Sequence, residues 1–213
     1  MVTYDARGVG ESRRVGNKND FSAQIWEDFP RVITFLQTHP VMGHLPMAVV
    51  GFSMGASSAM IGGILNSHVR VVIAVSALSD QNINLPWIWN PFNPRFWLRI
   101  RYTLLGLSSN LPAEVNTQIS PVVALSEVRA RSTPEEWERI VKKRLYLVHC
   151  TNDKPVRVEH FHNNRNALAI PLEQSFLLSR GGHTYLRAEL FLGSILLRIL
   201  DANLAQSMKL NTT

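Results

Sequence analysis

The chain has 213 residues, 46% hydrophobic and 18% charged, a composition that can bury a sizeable core and excludes whole-chain disorder. A single cysteine, Cys150, excludes an internal disulfide framework and a structural zinc site. The net charge of +6 comes from scattered groups, Arg13–Arg14, Arg95, Arg99, Arg101 and Lys142–Lys143–Arg144, with no groove-reading motif, so it reads as a solvated basic surface and not as a nucleic-acid interface.

In chain order, Met1 to Asp5 brings a charge before any apolar run, unlike a signal peptide, and no stretch reaches the ~20 apolar residues of a membrane helix. A cytoplasmic protein without stable membrane insertion is the expectation. Phe21 to Gln37 carries a helical period through Phe21, Ile25, Phe29, Val32, Ile33 and Leu36, interrupted by Pro30. Leu45 to Phe52 reads as a buried strand, Gly55 to Leu65 as the helix after it, and Val69 to Val75 as the next strand. Pro86 to about Leu111 crowds Trp87, Trp89, Phe92, Phe96, Trp97 and Tyr102 among prolines. It reads either as a satellite core under a long connection or as a lid with aromatics lining an apolar pocket. Pro134-Glu135-Glu136-Trp137, after Ser132, marks a helix start. Leu145 to Cys150 and Ser175 to Leu178 read as two more strands, and Leu186 to Leu204 as a closing helix. Alternating strands and helices predict an α/β fold with a mostly parallel sheet and flanking helices.

The strongest chemical signal is Gly51-Phe52-Ser53-Met54-Gly55, a G-x-S-x-G between a predicted strand and a predicted helix. A sharp turn there projects the Ser53 hydroxyl from the sheet edge, with glycines on both sides allowing backbones to approach. The N–H of Met54, at the start of the next helix, points to where an oxyanion would develop. A nucleophilic serine needs a base, and the base an orienting acid; hydrolases built on this elbow order them Ser, acid, His. Asp153 follows the strand ending at Cys150, and His183 follows Gly181-Gly182 after the strand ending at Leu178. Both fall at C-terminal strand ends, where parallel sheets place their sites.

With these motifs the chain resembles an α/β-hydrolase-fold serine hydrolase, of the broad group of carboxylesterases, acylglycerol lipases and serine aminopeptidases. Tyr4-Asp5-Ala6-Arg7-Gly8-Val9-Gly10-Glu11-Ser12 is similar to the D-x-R-G-x-G-x-S turn after that family's fourth strand. The resemblance implies Ser53 as nucleophile, His183 as general base, Asp153 as orienting acid, no cofactor or metal, and a small-molecule ester or amide substrate. It implies one domain over 1–213 with a cap insertion at about 79–144. His149-Cys150 departs from the family's frequent His-Gly, a change compatible with a backbone that is not left-handed. The family also carries three strands and a helix ahead of the D-x-R-G turn, including a loop that donates an oxyanion N–H. This chain begins at the tail of the fourth strand, so the expectation is an N-terminally truncated form lacking ~50–80 residues, at ~30 per βαβ unit. Two alternatives to the esterase stand beside it: a serine aminopeptidase with the same triad, and a catalytically incompetent fragment or pseudoenzyme acting as a binding module.

Asp80, shortly after the strand ending at Val75, is a rival acid. Glu159-His160-Phe161-His162 holds an H-x-H pair without a clustered carboxylate or thiol, and reads as the exposed start of a helix. His39, His44, His68 and His149 read as structural, and Cys150 as a buried small hydrophobe. Phe96 to Tyr102 reads as a lid helix in preference to a segment that touches a membrane surface.

Overall fold

The computed structural model describes residues 1–18, 20–81, 91–92, 96–97, 100 and 113–210, with side chains as far as 204. Most of the expected lid, from 86 to 111, therefore lies outside the described residues. After a 3₁₀ turn at Gly10–Arg14, helix α1 runs as three consecutive pieces: Phe21–Ala23, a π-helical turn Gln24–Asp28, and Phe29–Thr38. Asp20 starts it, its carboxylate accepting from the Ala23 N–H at 3.0 Å. Pro30 has no N–H to offer the Trp26 carbonyl, and the π turn falls on that stretch, with the Phe29 N–H bonding back to Gln24 O. Pro30 thus reshapes the helix without ending it.

Strand β1 spans Met47–Phe52, beginning just after Pro46, which cannot donate to a ladder. Helix α2, Met54–Leu65, and strand β2, Val69–Val75, follow as expected. Between β2 and the next strand lie α3, Ala113–Ile119, α4, Pro121–Arg131, and α5, Pro134–Val141. A capping box starts α5: Thr133 Oγ accepts from the Glu136 N–H at 3.2 Å, and Glu136 Oε2 accepts from the Thr133 N–H at 2.8 Å. Strand β3, Leu145–Cys150, helix α6, Val158–Ala167, strand β4, Ser175–Leu178, and helix α7, Glu189–Leu210, complete the described chain. Helix α7 starts three residues later than its apolar period suggests, because Tyr185 and Arg187 hold positive φ of 58° and 63°.

The four strands form one parallel sheet in the order β1-β2-β3-β4. Alternate residues of the central strands enter opposite cores. Val72, Ala74, Leu145 and Leu147 pack with Phe29, Ile33, Met60 and Phe161 on one side. Val71, Ile73, Val75, Tyr146 and Val148 pack with Leu192 and Ile199 of α7 on the other. A parallel sheet covered on both faces explains why β2 and β3 are continuous apolar runs in sequence. No strand precedes β1 among the described residues, and residues 1–6 carry no regular structure, so the expected fourth-strand tail is not formed. β1 therefore stands at the edge of the described sheet, with Val50 38% and Phe52 50% exposed.

The two glycines of the elbow do different work. A Cβ on Gly51 would lie 2.1 Å from the carbonyl oxygen of Gly55, whereas a Cβ on Gly55 would meet nothing within 4 Å. Gly51→Ala is expected to destabilise the chain by about 3 kcal/mol, as overpacking against backbone does. Gly55→Ala should be neutral or stabilise by up to ~1 kcal/mol, since alanine suits a helix better. Urea unfolding of both variants checks this; equal midpoints would contradict it.

Candidate active site

Register brings the functional loops together. Phe52 pairs with Val75, Val75 with Val148, and Cys150 with Leu178, so four strands end along one rim of the sheet. The chain leaves β1 through Ser53, whose φ of 53° and ψ of −119° make it a strained turn residue and the N-cap of α2. The Ser53 N–H still bonds to Val75 O at 2.9 Å, which fixes the elbow to β2. Met54 opens α2, so its N–H has no intrahelical acceptor.

After β3, the Asp153 N–H bonds to Cys150 O at 3.1 Å, and Asp153 Oδ1 accepts from the Val156 N–H at 2.9 Å. After β4, Gly181 and Gly182 take φ of 130° and 60°, conformations that glycine adopts without a Cβ clash. A Cβ on Gly181 would also lie 3.0 Å from Cys150 Sγ. The two loops are tied together: the Gly182 N–H donates to Asn152 Oδ1 at 2.9 Å, and the Thr151 N–H to Leu178 O at 2.8 Å.

The side chains then converge. His183 Nε2 lies 3.1 Å from Ser53 Oγ, and His183 Nδ1 lies 2.9 Å from Asp153 Oδ2. Asp153 has a fully buried side chain, while His183 is a quarter exposed at 26%. Burial pushes the Asp153 carboxyl up, but hydrogen bonds from His183, the Val156 N–H and Ser76 outweigh it and hold it below the ordinary carboxylate range. An ionised Asp153 accepts the Nδ1 proton, which leaves Nε2 free to accept from Ser53. Asp153 rather than Asp80 is thus the carboxylate on His183.

Sequence reading did not single out Ser76, which follows β2, or Tyr185. Ser76 Oγ donates to Asp153 Oδ2 at 2.8 Å, and Tyr185 Oη lies 3.1 Å from Ser76 Oγ. No local signal separates Ser76 from Ser79 in the same stretch; only the pairing of β2 with β3 does. The Asp5–Ser12 motif is a clamp onto helix α1. Arg7 donates from Nε and Nη2 to the two Asp28 oxygens, both at 2.7 Å, and from Nη2 to Glu27 Oε2 at 3.0 Å. Those bonds hold the Asp28 carboxyl below its usual range. Asp5 Oδ2 accepts from the Glu11 N–H at 2.9 Å, and a Cβ on Gly10 would lie 2.1 Å from that oxygen.

Cys150 is a buried strand residue without positive φ, so replacing the family's glycine there requires no strain. His149 donates from Nε2 to Val156 O at 2.9 Å. The H-x-H pair divides: His162 is exposed, but His160 is fully buried, contrary to the expected exposed helix start. His160 Nδ1 faces the Ser79 N–H at 3.2 Å and Ser79 Oγ at 2.9 Å. No group of three metal-ligating side chains occurs among the described residues. A cavity of about 550 Å³ bordered by His44, His68, Arg70, Lys143 and Arg144 lies at the opposite, N-terminal ends of the strands.

Burial pushes His160 down to about 4, with Arg157 and His149 adding to it and Glu159 and Asp80 opposing. Between its ordinary 6.5 and about 4, the unfolded chain takes up a proton here that the folded chain refuses. Stability is therefore expected to fall as pH drops through that window, by about 3 kcal/mol at pH 4. Urea midpoints at pH 7 and pH 4 check it: His160→Gln should lose less than the parent chain, and an equal loss would contradict the assignment.

A parallel sheet flanked by helices, with a serine elbow and a strand-end aspartate and histidine, is the α/β-hydrolase fold. Residues 1–190 match the alpha/beta hydrolase family, and the chain belongs to it. It is similar to the thiohydrolase apmlB of Arthrinium phaeospermum, 36% identical over 74 residues that make up 35% of this chain and 24% of that protein. Among solved structures it resembles the 2,6-dihydroxy-pseudo-oxynicotine hydrolase, with a TM-score of 0.60 at 16% identity, covering 96% of this chain and 52% of that one. The Pyrococcus furiosus esterase PF2001 gives 0.58 at 17% identity, covering 94% and 68%. At such identities the structural likeness speaks for the fold alone. The match spans about a quarter of the thiohydrolase's length and about half of the oxynicotine hydrolase's. No helix among the described residues is long and apolar enough to cross a membrane.

Proposed function

We propose that the chain is a serine hydrolase cleaving a carboxylic ester through an acyl-enzyme. The observation that carries this is the unbroken line of hydrogen bonds from Ser53 Oγ through His183 to Asp153. Ser53 Oγ attacks the ester carbonyl carbon as its proton passes to His183 Nε2. Asp153 keeps the imidazole in the required tautomer and stabilises the imidazolium that forms. The oxyanion forms a hydrogen bond with the Met54 N–H at the start of α2. The tetrahedral intermediate collapses as His183 protonates the leaving alkoxide. Water then attacks the acyl group, giving its proton to His183, and Ser53 leaves protonated.

The likeness to a thiohydrolase favours a second reading of the same site, a thioester whose acyl group passes to Ser53 while His183 protonates the departing thiolate. An aminopeptidase would need a carboxylate for the substrate's α-amine, and Pro86 to Leu111 contains no acidic residue. Within this proposal the chain is one domain over 1–213 whose cap insertion lies between β2 and β3, while α4 and α5 belong to the sheet-face core through Leu125, Trp137 and Val141. A fluorophosphonate tests the mechanism, since it phosphonylates only an activated hydroxyl. Labelling and loss of ester turnover should rise together; turnover untouched by a large excess of reagent would refute it.

A further inference from the structure

Behind the carboxylate of Asp153 stand two buried hydroxyls, and their directions are fixed by chemistry. An ionised carboxylate only accepts, so the bond between Ser76 Oγ and Asp153 Oδ2, 2.8 Å long, is donated by Ser76. That commits the one serine proton. Tyr185 Oη, 3.1 Å from Ser76 Oγ and 3.3 Å from Val148 O, then shares its single proton between these two acceptors in a bifurcated bond. Asp153 Oδ2 is the same oxygen that His183 Nδ1 addresses, and Oδ1 is held by the Val156 N–H. Three donors thus fix the plane of the carboxylate. His149 does not compete, because its Nε2 proton goes to Val156 O.

Backbone strain points to the same place. Ser76 and Tyr185 hold φ of 51° and 58°, a region that residues other than glycine occupy only where the surroundings enforce it. Ser53 at 53° is the third such residue of this cluster. The Ser76 N–H is anchored to Val148 O at 2.9 Å, so its side chain is turned toward the acid loop by the β2–β3 pairing itself.

We propose that Ser76 is a positioning residue of the reaction, keeping Asp153 ionised and in plane with His183, and that Tyr185 aims the Ser76 hydroxyl. The proposal rests on the Ser53–His183–Asp153 reading above. Without the Ser76 donor, the carboxylate loses one of its charge-assisted bonds, and the Asp153–His183 pair holds a proton more tightly.

The test is Ser76→Gly beside Ser76→Ala, assayed on p-nitrophenyl acetate, with Ser53→Ala as reference. Both Ser76 variants should lower kcat ~10–100-fold, the scale of a hydrogen bond to a charged group, with KM little changed. The acid limb of kcat/KM should move up by ~0.5–1 pH unit in both. Glycine suits the positive φ, so Ser76→Gly should unfold at higher urea than Ser76→Ala while being no more active. A merely structural serine would instead let activity follow stability. Ser76→Gly with the parent kcat and acid limb overturns the proposal. Should neither Ser76 variant fold, Tyr185→Phe reads the same limb: an upward move supports the proposal, and the parent profile overturns it. An active Ser53→Ala overturns the nucleophile reading and this one with it, whereas an inactive Ser53→Ala beside a parent-like Ser76→Gly overturns this one alone.

Discussion

Ser53→Ala is expected to lower ester turnover by about 10⁶-fold, the largest effect of any single substitution in this chain. The serine oxygen is the only hydroxyl within hydrogen-bond reach of His183 Nε2 among the described residues, at 3.1 Å. Removing it takes away the group that His183 Nε2 would deprotonate for attack. The backbone cost is small, because alanine takes the same turn with the same Cβ. His183→Ala should lose about as much, and the double variant little more, since nucleophile and base act as one unit. Steady-state kinetics on p-nitrophenyl acetate read all three. Losses that multiply in the double variant would mean that the two side chains act independently.

Asp153→Asn is expected to lower turnover by about 10⁴-fold with the fold intact. The amide fills the same volume and keeps an oxygen for the Val156 N–H. Its nitrogen, turned toward His183, donates to Nδ1 where the carboxylate accepted. The imidazole then carries its proton on Nε2, the tautomer that cannot accept from Ser53. Asp80→Asn should change turnover less than ~3-fold, as expected for a group outside the unit that acts in catalysis. Should Asp80→Asn produce the large loss and Asp153→Asn not, the acid lies after β2 and the geometry at His183 has been misread.

Much of this arrangement is legible in the sequence because it is local. VRVVIAV and LYLVHC are strands whose both faces are buried, so their apolar runs need no partner to be recognised. Ser53, Asp153 and His183 each directly follow a strand or a short loop after one, and parallel register then brings them to one rim. What remains hidden is long-range. Ser76 and Ser79 lie in the same short apolar stretch, yet one faces Asp153 and the other faces His160. That choice belongs to strand pairing and helix packing across 77 and 81 residues. The D-x-R-G-x-G-x-S motif is visible as a pattern, but the pairing of Arg7 with Asp28 depends on the π turn ahead of Pro30. His160 looks like an exposed helix start because its neighbours Glu159 and His162 are polar; its burial comes from packing around Ser79.

The central claim, that Ser53 is the nucleophile, meets its most direct test in locating the covalent adduct. The chain is treated with a fluorophosphonate, digested, and the modified peptide sequenced by mass spectrometry. The prediction is one adduct per chain, on Ser53, absent from Ser53→Ala and slowed in Asp153→Asn. An adduct on any other serine, or one that persists in Ser53→Ala, would contradict it.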